Sequence, residues 1–353
     1  MIPSFTKVHN KFKINNEYYN YSSLREVAYS FIKEGEVYQK QIGNFLLDWL
    51  DDNDYIFVKT SGSTGKPKLM KLEKQAMVHS AIATGNYFNL KAGDKALHCL
   101  PTEFIAGKMM LVRAMILGLE IDIIAPSSNP LTAIKKSYAF CAMVPMQLQN
   151  SVGKLSKIDT LIVGGVAVSN ELQNQIQDSS CKIFATYGMT ETATHIAVRP
   201  LNGANSIDHT YNIFPEVSIS KDDRDCLVIY ASKLNNEIII TNDVVKLCSD
   251  SSFKLLGRFD NVINSGGIKL FPEQIEAKLK TNIKERFFIA SKADSRLGEQ
   301  LIMVIEGNSN RIDPSAFNNL DAYEKPKHIY CLEQFLETNS GKIQRSKTLA
   351  LLK

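Results

Sequence analysis

Nine consecutive residues constrain this chain more than any others: Thr60, Ser61, Gly62, Ser63, Thr64, Gly65, Lys66, Pro67 and Lys68, which follow directly on the strand-like run Asp54-Tyr55-Ile56-Phe57-Val58-Lys59. Glycine lets backbone N–H groups come close to an anion, the hydroxyls add donors, and the lysines offset negative charge. A strand that feeds such a loop suits a phosphate-binding α/β sheet. The loop is not that of the ordinary nucleotide hydrolases, which need Ser or Thr after Gly-Lys to hold Mg²⁺. Here Gly65-Lys66 is followed by Pro67, which has neither a hydroxyl nor an N–H.

The remainder of the first two hundred residues alternates short β-branched runs with helix-length stretches. Lys71 to Leu90 has helical periodicity, Lys95 to Leu100 reads as a strand, and Gly107 to Leu117 as a helix. Ile121 to Ala125, Thr160 to Val163 and Lys182 to Thr186 are further strands, so parallel pairing in an α/β sheet is expected. After about Ile207 the pattern changes to strands joined by short polar turns, which predicts a small antiparallel sheet closing a large N-terminal domain. From Asp260 onward a compact α+β unit is expected, with a helix opening at Pro272-Glu273. The expected division is residues 1–258 and 259–353, the first region being abbreviated.

A chain of 353 residues, 44% hydrophobic and 22% charged, is long enough for a large and a small domain. Its net charge of +4 is too slight for a dedicated nucleic-acid binder. The segment from Met1 has no apolar core of a signal peptide, and no run approaches the roughly 20 apolar residues that span a bilayer, so no stable membrane insertion is expected. Cys99, Cys141, Cys181, Cys226, Cys248 and Cys331 include no CxxC pair and read as reduced, buried thiols of a cytoplasmic protein.

Two further constellations carry chemistry. Tyr187-Gly188-Met189-Thr190-Glu191 follows a strand, at the edge where open α/β sheets bind ligands. Tyr187 offers a flat ring, Thr190 a hydroxyl and Glu191 a hard oxygen for Mg²⁺. The third runs from Gly257-Arg258-Phe259-Asp260 through Gly267-Ile268-Lys269, with Ser340-Gly341-Lys342-Ile343 near the end. In this order the segments resemble the signature motifs of the adenylate-forming enzymes, which include acyl- and aryl-CoA ligases, luciferases and peptide-synthetase adenylation domains. The resemblance implies that Thr60, Ser61, Gly62, Ser63, Thr64, Gly65, Lys66 and Lys68 clamp the phosphates of ATP. It implies that Gly164, Gly165, Tyr187, Gly188 and Met189 border the adenine, and that Thr190 meets the α-phosphate. It also implies Glu191 for the metal, Asp243 and Arg258 for the ribose, Asp260 as a hinge, Gly267 beside the pantetheine of coenzyme A, and Lys342 as the catalytic cation. In Thr241-Asn242-Asp243 the family's central glycine is replaced by Asn242, a residue that tolerates a left-handed turn.

The resemblance extends from Thr60 nearly to the end, with an early element at residues 18–28. Only Tyr29 to Lys59 separates that element from the phosphate loop, so much of the usual first subdomain is missing. Leu100-Pro101-Thr102-Glu103-Phe104-Ile105-Ala106-Gly107 matches a family segment whose gating histidine is here Phe104, which suits an aromatic or hydrophobic acid and equally suits a core position. Lys108, Arg113, His195 and Arg199 are candidates to hold a second carboxylate. Within the family the chain is most similar to short-form o-succinylbenzoate–CoA ligases of menaquinone biosynthesis. An enzyme that loads a carrier protein with another acid, and an inactive nucleotide-binding module, remain open at this point.

Overall fold

The computed structural model describes residues 2–59, 69–307, 312–337 and 343–352. The N-terminal region holds β1 (Lys13–Ile14), β2 (Glu17–Tyr18) and a helical hairpin, α1 (Tyr21–Glu34) and α2 (Val37–Leu50). Asn20 caps α1 by accepting from the Ser23 N–H, while Ser23 Oγ accepts from the Asn20 N–H, so two orphan donors are satisfied reciprocally. Gly43 lets the two helices close, because a Cβ there would lie 2.6 Å from Ala28 O. This hairpin occupies the short stretch before the phosphate loop where an abbreviated first subdomain was expected, and it buries Phe45, Leu46, Trp49 and Leu50 in the main core.

A two-stranded ribbon, β3 (Tyr55–Lys59) and β4 (Leu69–Glu73), pairs Lys59 with Leu69 and so brings together the two ends of the phosphate-loop segment. The helix expected from Lys71 begins instead at Lys74, and α3 (Lys74–Tyr87) follows β4 directly. Next come β5 (Lys95–His98), α4 (Ile105–Leu117), β6 (Glu120–Ile123), β7 (Tyr138–Met143), α5 (Pro145–Ser151), β8 (Ile158–Val163), α6 (Asn170–Gln175) and β9 (Lys182–Gly188). The five strands from β5 to β9 pair in parallel in the order β6-β5-β7-β8-β9, as the alternation with helices requires.

The antiparallel strands do not form a separate closing sheet. β10 (His195–Pro200), β11 (Tyr211–Ile213), β12 (Ser218–Lys221), β13 (Cys226–Tyr230), β14 (Ile239–Ser249) and β15 (Ser252–Arg258) continue the ladder from β9, giving one 13-stranded sheet among the described residues. A second, five-stranded sheet contains β16 (Ile263–Ser265), β17 (Ile268–Leu270), β18 (Phe287–Asp294), β19 (Gly298–Glu306) and β20 (His328–Leu332). One of its faces packs on α7 (Pro272–Leu279) through Ile275, Leu279, Ile289 and Met303. The chain passes from one sheet to the other through the short turn Phe259–Asn261.

Four cysteines are buried, whereas Cys248 is exposed and Cys331 is partly exposed, contrary to the expectation that all six are core. No helix among the described residues is long and apolar enough to cross a membrane.

Candidate active site

β8 and β9 end side by side, and their C-terminal edges carry Gly164-Gly165 and Tyr187-Gly188. Thr186 Oγ1 donates to Val163 O across this edge at 3.2 Å and fills the space above Gly164, where a Cβ would lie 2.5 Å from that oxygen. Gly188 is more tightly constrained. A Cβ there would meet Thr194 O at 2.3 Å and His195 Cα at 2.4 Å. The segment between β9 and β10 therefore folds back directly onto Gly188.

Thr192 ties this segment together. Its Oγ1 accepts from the Met189 N–H at 3.1 Å and lies 3.0 Å from Met189 O and 2.5 Å from Thr194 O, either of which it can donate to. The Thr194 N–H donates to Thr192 O at 2.6 Å around Ala193, whose φ of 59° and ψ of −41° make a strained three-residue γ-turn. Thr190 and Glu191 ride on this knot. Asn235 Nδ2 donates to Glu191 O at 3.1 Å, but the Glu191 carboxylate and the Thr190 hydroxyl have no hydrogen-bond or ion-pair partner among the described residues. A carboxylate with no such partner among the described residues suits Mg²⁺, which takes one or two protein carboxylates and completes its shell with phosphate and water.

Asp243 reaches the same region from β14. Between β13 and β14 the register slips, with Cys226 opposite Val244 but Val228 opposite Ile240, so Thr241-Asn242-Asp243 bulges. Thr241 Oγ1 fastens the bulge by donating to Leu227 O at 2.8 Å and accepting from the Asp243 N–H at 3.1 Å. Asn242 has no positive φ, so no left-handed turn is needed there. Tyr187 donates its hydroxyl to Asp243 Oδ2 at 2.7 Å, and Arg258 Nη1 donates to Oδ1 at 3.2 Å from the paired position on β15. Burial first, and then the Asp243 carboxylate, push the Tyr187 hydroxyl far above the ordinary phenol range, so it remains a donor. Burial works against the charge of Arg258, but Asp243 and Asp260 outweigh it and raise the guanidinium. The Tyr187 ring itself packs edge-on to Tyr211 and Phe253.

A second polar group lies inside the protein. His195 is buried; its Nε2 is 3.2 Å from Thr84 Oγ1 and its Nδ1 is 3.4 Å from Thr194 Oγ1. Burial, assisted by nearby Arg113, holds its pKa well below the ordinary histidine value. Arg113 of α4 is 1% exposed; among the described residues Nη1 reaches only Met110 Sδ at 3.8 Å, and Nε and Nη2 have no partner. Burial lowers this guanidinium to about 9. Ser80 Oγ is also buried without a partner among the described residues, and it lines a cavity of about 20 Å³ with His195 and Phe214, room for one water.

Tyr187, Asp243, Arg258 and Asp260 are thus in one hydrogen-bonded group, with Gly164, Gly165, Gly188, Met189, Thr190 and Glu191 along the adjoining strand edge. Three expected residues lie elsewhere. Phe104 caps the start of α4 and is 48% exposed, so it is not core. Gly267 sits with Gly266 at the tip of the β16–β17 hairpin, both at positive φ. Arg199 points away, with Nη1 2.9 Å from His209 Nδ1 and its guanidinium over Tyr211. Residues 60–68 and Lys342 lie outside the described residues; Ile343 just beyond Lys342 bridges Glu337, and Arg345 pairs with Glu276 at 2.8 Å.

The chain matches the family model described as AMP-binding enzyme over residues 21–223. It belongs to the AMP-binding enzyme family. The 2-succinylbenzoate–CoA ligase of Escherichia coli is 24% identical over 81% of this chain and 66% of its own length. That of Listeria innocua is 26% identical over 82% and 68%. The chain therefore spans about two thirds of the length of these curated relatives. Among solved structures, an acyl-CoA synthetase (AMP-forming)/AMP-acid ligase II-like protein from Dyadobacter fermentans is 34% identical, covers 93% of this chain and is itself covered to 98%, with a TM-score of 0.63. The O-succinylbenzoate coenzyme A synthetase of Bacillus subtilis, solved with ATP and magnesium, shares the fold at a TM-score of 0.73 and 18% identity, over 83% of this chain and 69% of its own.

Sequence reasoning missed Ser80, Thr84 and the Tyr187–Asp243 bond. Arg113 did leave a trace, as the single charge in the apolar run from Met109 to Ile116.

Proposed function

We propose that this chain is an AMP-forming acid–thiol ligase. It activates an aromatic dicarboxylic acid of the 2-succinylbenzoate type with ATP and passes the acyl group to coenzyme A, a step of cytoplasmic menaquinone biosynthesis. One observation carries the choice of acid: Arg113 is buried, and two of its guanidinium nitrogens have no partner among the described residues. An isolated buried charge costs several kcal/mol, and a carboxylate not consumed by the reaction offsets that cost. Neutral His195 beside it donates or accepts without adding a competing charge. The names of the Escherichia coli and Listeria innocua relatives agree with this reading.

In the first half-reaction a carboxylate oxygen of the acid attacks the α-phosphorus of ATP. The bond to the pyrophosphate oxygen breaks, leaving an acyl-adenylate. Residues 60–68 hold the β- and γ-phosphates, Thr190 donates to the α-phosphate, and Asp243 accepts from the ribose hydroxyls. Lys342 places a cation where negative charge develops. Glu191 would hold magnesium, which would supply charge neutralisation when bound. In the second half-reaction the thiolate of coenzyme A attacks the acyl carbon, the bond to AMP breaks, and the thiol proton passes to solvent.

Pyrophosphate release with 2-succinylbenzoate and with benzoylpropanoate, which lacks the ring carboxylate, tests the reading. The wild type is expected to favour 2-succinylbenzoate. Arg113→Leu is expected to raise KM for it by about 100-fold, the scale of a lost buried charge pair, and to leave benzoylpropanoate nearly unchanged. Equal losses with both acids would remove Arg113 from acid recognition, and preference for a fatty acid would overturn the substrate class.

A further inference from the structure

The turn Phe259–Asn261 that joins the two sheets is held by side chains from β14, β15 and the β12–β13 turn of the large sheet. Asp260 is the centre of that grip: Oδ2 accepts from Arg258 Nη2 at 3.1 Å, and Asn242 Nδ2 approaches both carboxylate oxygens at 3.4 and 3.5 Å. The amide oxygen of Asn242 accepts in turn from Arg224 Nη1 at 2.9 Å. Arg224 is itself fixed, with Nε 2.8 Å and Nη2 2.7 Å from Asp222 Oδ2, Nη2 on Thr241 O at 3.1 Å, and its guanidinium over the Phe259 ring at 5.1 Å. A cleft of about 410 Å³, lined in part by Arg224, Val244, Phe259 and Lys269, lies beside the turn.

We infer that Asn242 is a positioning residue that reports occupancy of the Asp243 carboxylate to the turn between the two sheets, an inference that rests on the nucleotide reading above. Arg258 is shared between Asp243 and Asp260, at 3.2 and 3.1 Å. Ribose hydroxyls donating to Asp243 compete with Arg258 for Oδ1, so Arg258 shifts its hold toward Asp260. Asn242, held in orientation by Arg224, completes the pairing of the Asp260 carboxylate, and the turn stiffens. A glycine, the residue of the family pattern at this position, has no amide to lend. The substitution thus gives this chain a second contact between nucleotide site and turn.

Hydrogen exchange of residues 259–263 with and without AMP, alongside calorimetric measurement of AMP binding, tests this in the full chain. AMP is expected to slow exchange there by about fivefold or more in the wild type. Asn242→Gly removes the amide, while Asn242→Asp keeps the shape and the Arg224 bond but sets a second carboxylate against Asp260. Both variants should still bind AMP, with the slowing reduced to less than about twofold. Wild-type slowing in Asn242→Asp would show that only shape matters and would overturn the inference, as would a wild type that binds AMP with no slowing. Failure of the wild type to bind AMP, read separately in the calorimeter, would instead remove the nucleotide reading and this inference with it.

Discussion

His98 ends β5 buried, with Nε2 2.9 Å from Thr102 Oγ1 and Nδ1 without a partner among the described residues. Burial lowers its pKa from 6.5 to about 4. Between those values the unfolded chain binds a proton that the folded chain refuses, so stability is present above pH 6.5 and falls as the pH drops. The shift corresponds to about 3 kcal/mol as an order of magnitude. His98→Gln is expected to flatten the decline in urea midpoint between pH 6.5 and 4, and an unchanged slope would exclude His98 as its source. His195, lowered by burial and by Arg113, acts in the same direction and accounts for a remaining slope. Neither effect was legible in the sequence, because a histidine's surroundings come from distant elements: Thr84 of α3 and Arg113 of α4 in the case of His195. The motif residues were legible, since their chemistry depends on immediate neighbours along the chain.

The β9–β10 connection places Thr190 and Glu191 by packing backbone on backbone. A methyl group at Gly188 would press into Thr194 O and His195 Cα, neither of which is a flexible side-chain end. Gly188→Ala should therefore destabilise the protein by about 1–3 kcal/mol and lower adenylate formation with it. Gly153→Ala, where nothing lies within 4 Å of the added carbon, is the control expected to change neither. Equal melting temperatures for the two variants would show that the connection relaxes freely. The sequence located this glycine through its motif. The reason for it, the γ-turn at Ala193 knotted by Thr192, appears only when β10 folds back beside β9.

At the scale of the whole molecule the described residues form a 13-stranded and a five-stranded sheet joined through Phe259–Asn261, besides the β3–β4 ribbon, and in the sequence Lys342 follows the smaller sheet. If that segment delivers a cation only to the first half-reaction, Lys342→Ala should cut acid-dependent ATP–pyrophosphate exchange by about 100-fold or more. Thiolysis of supplied acyl-adenylate should remain close to wild type, and equal loss of both steps would refute the assignment. The sequence by itself determined the parallel α/β core, the family motifs and the place where the chain changes character near Arg258. These follow from local hydrophobic period, turn chemistry and residue type. Only the tertiary structure decided that the antiparallel strands extend the same sheet, that Arg113 is buried with Nε and Nη2 unpaired among the described residues, and that Asn242 reaches Asp260. Each of these depends on register and packing between segments far apart in the chain, which no local pattern encodes.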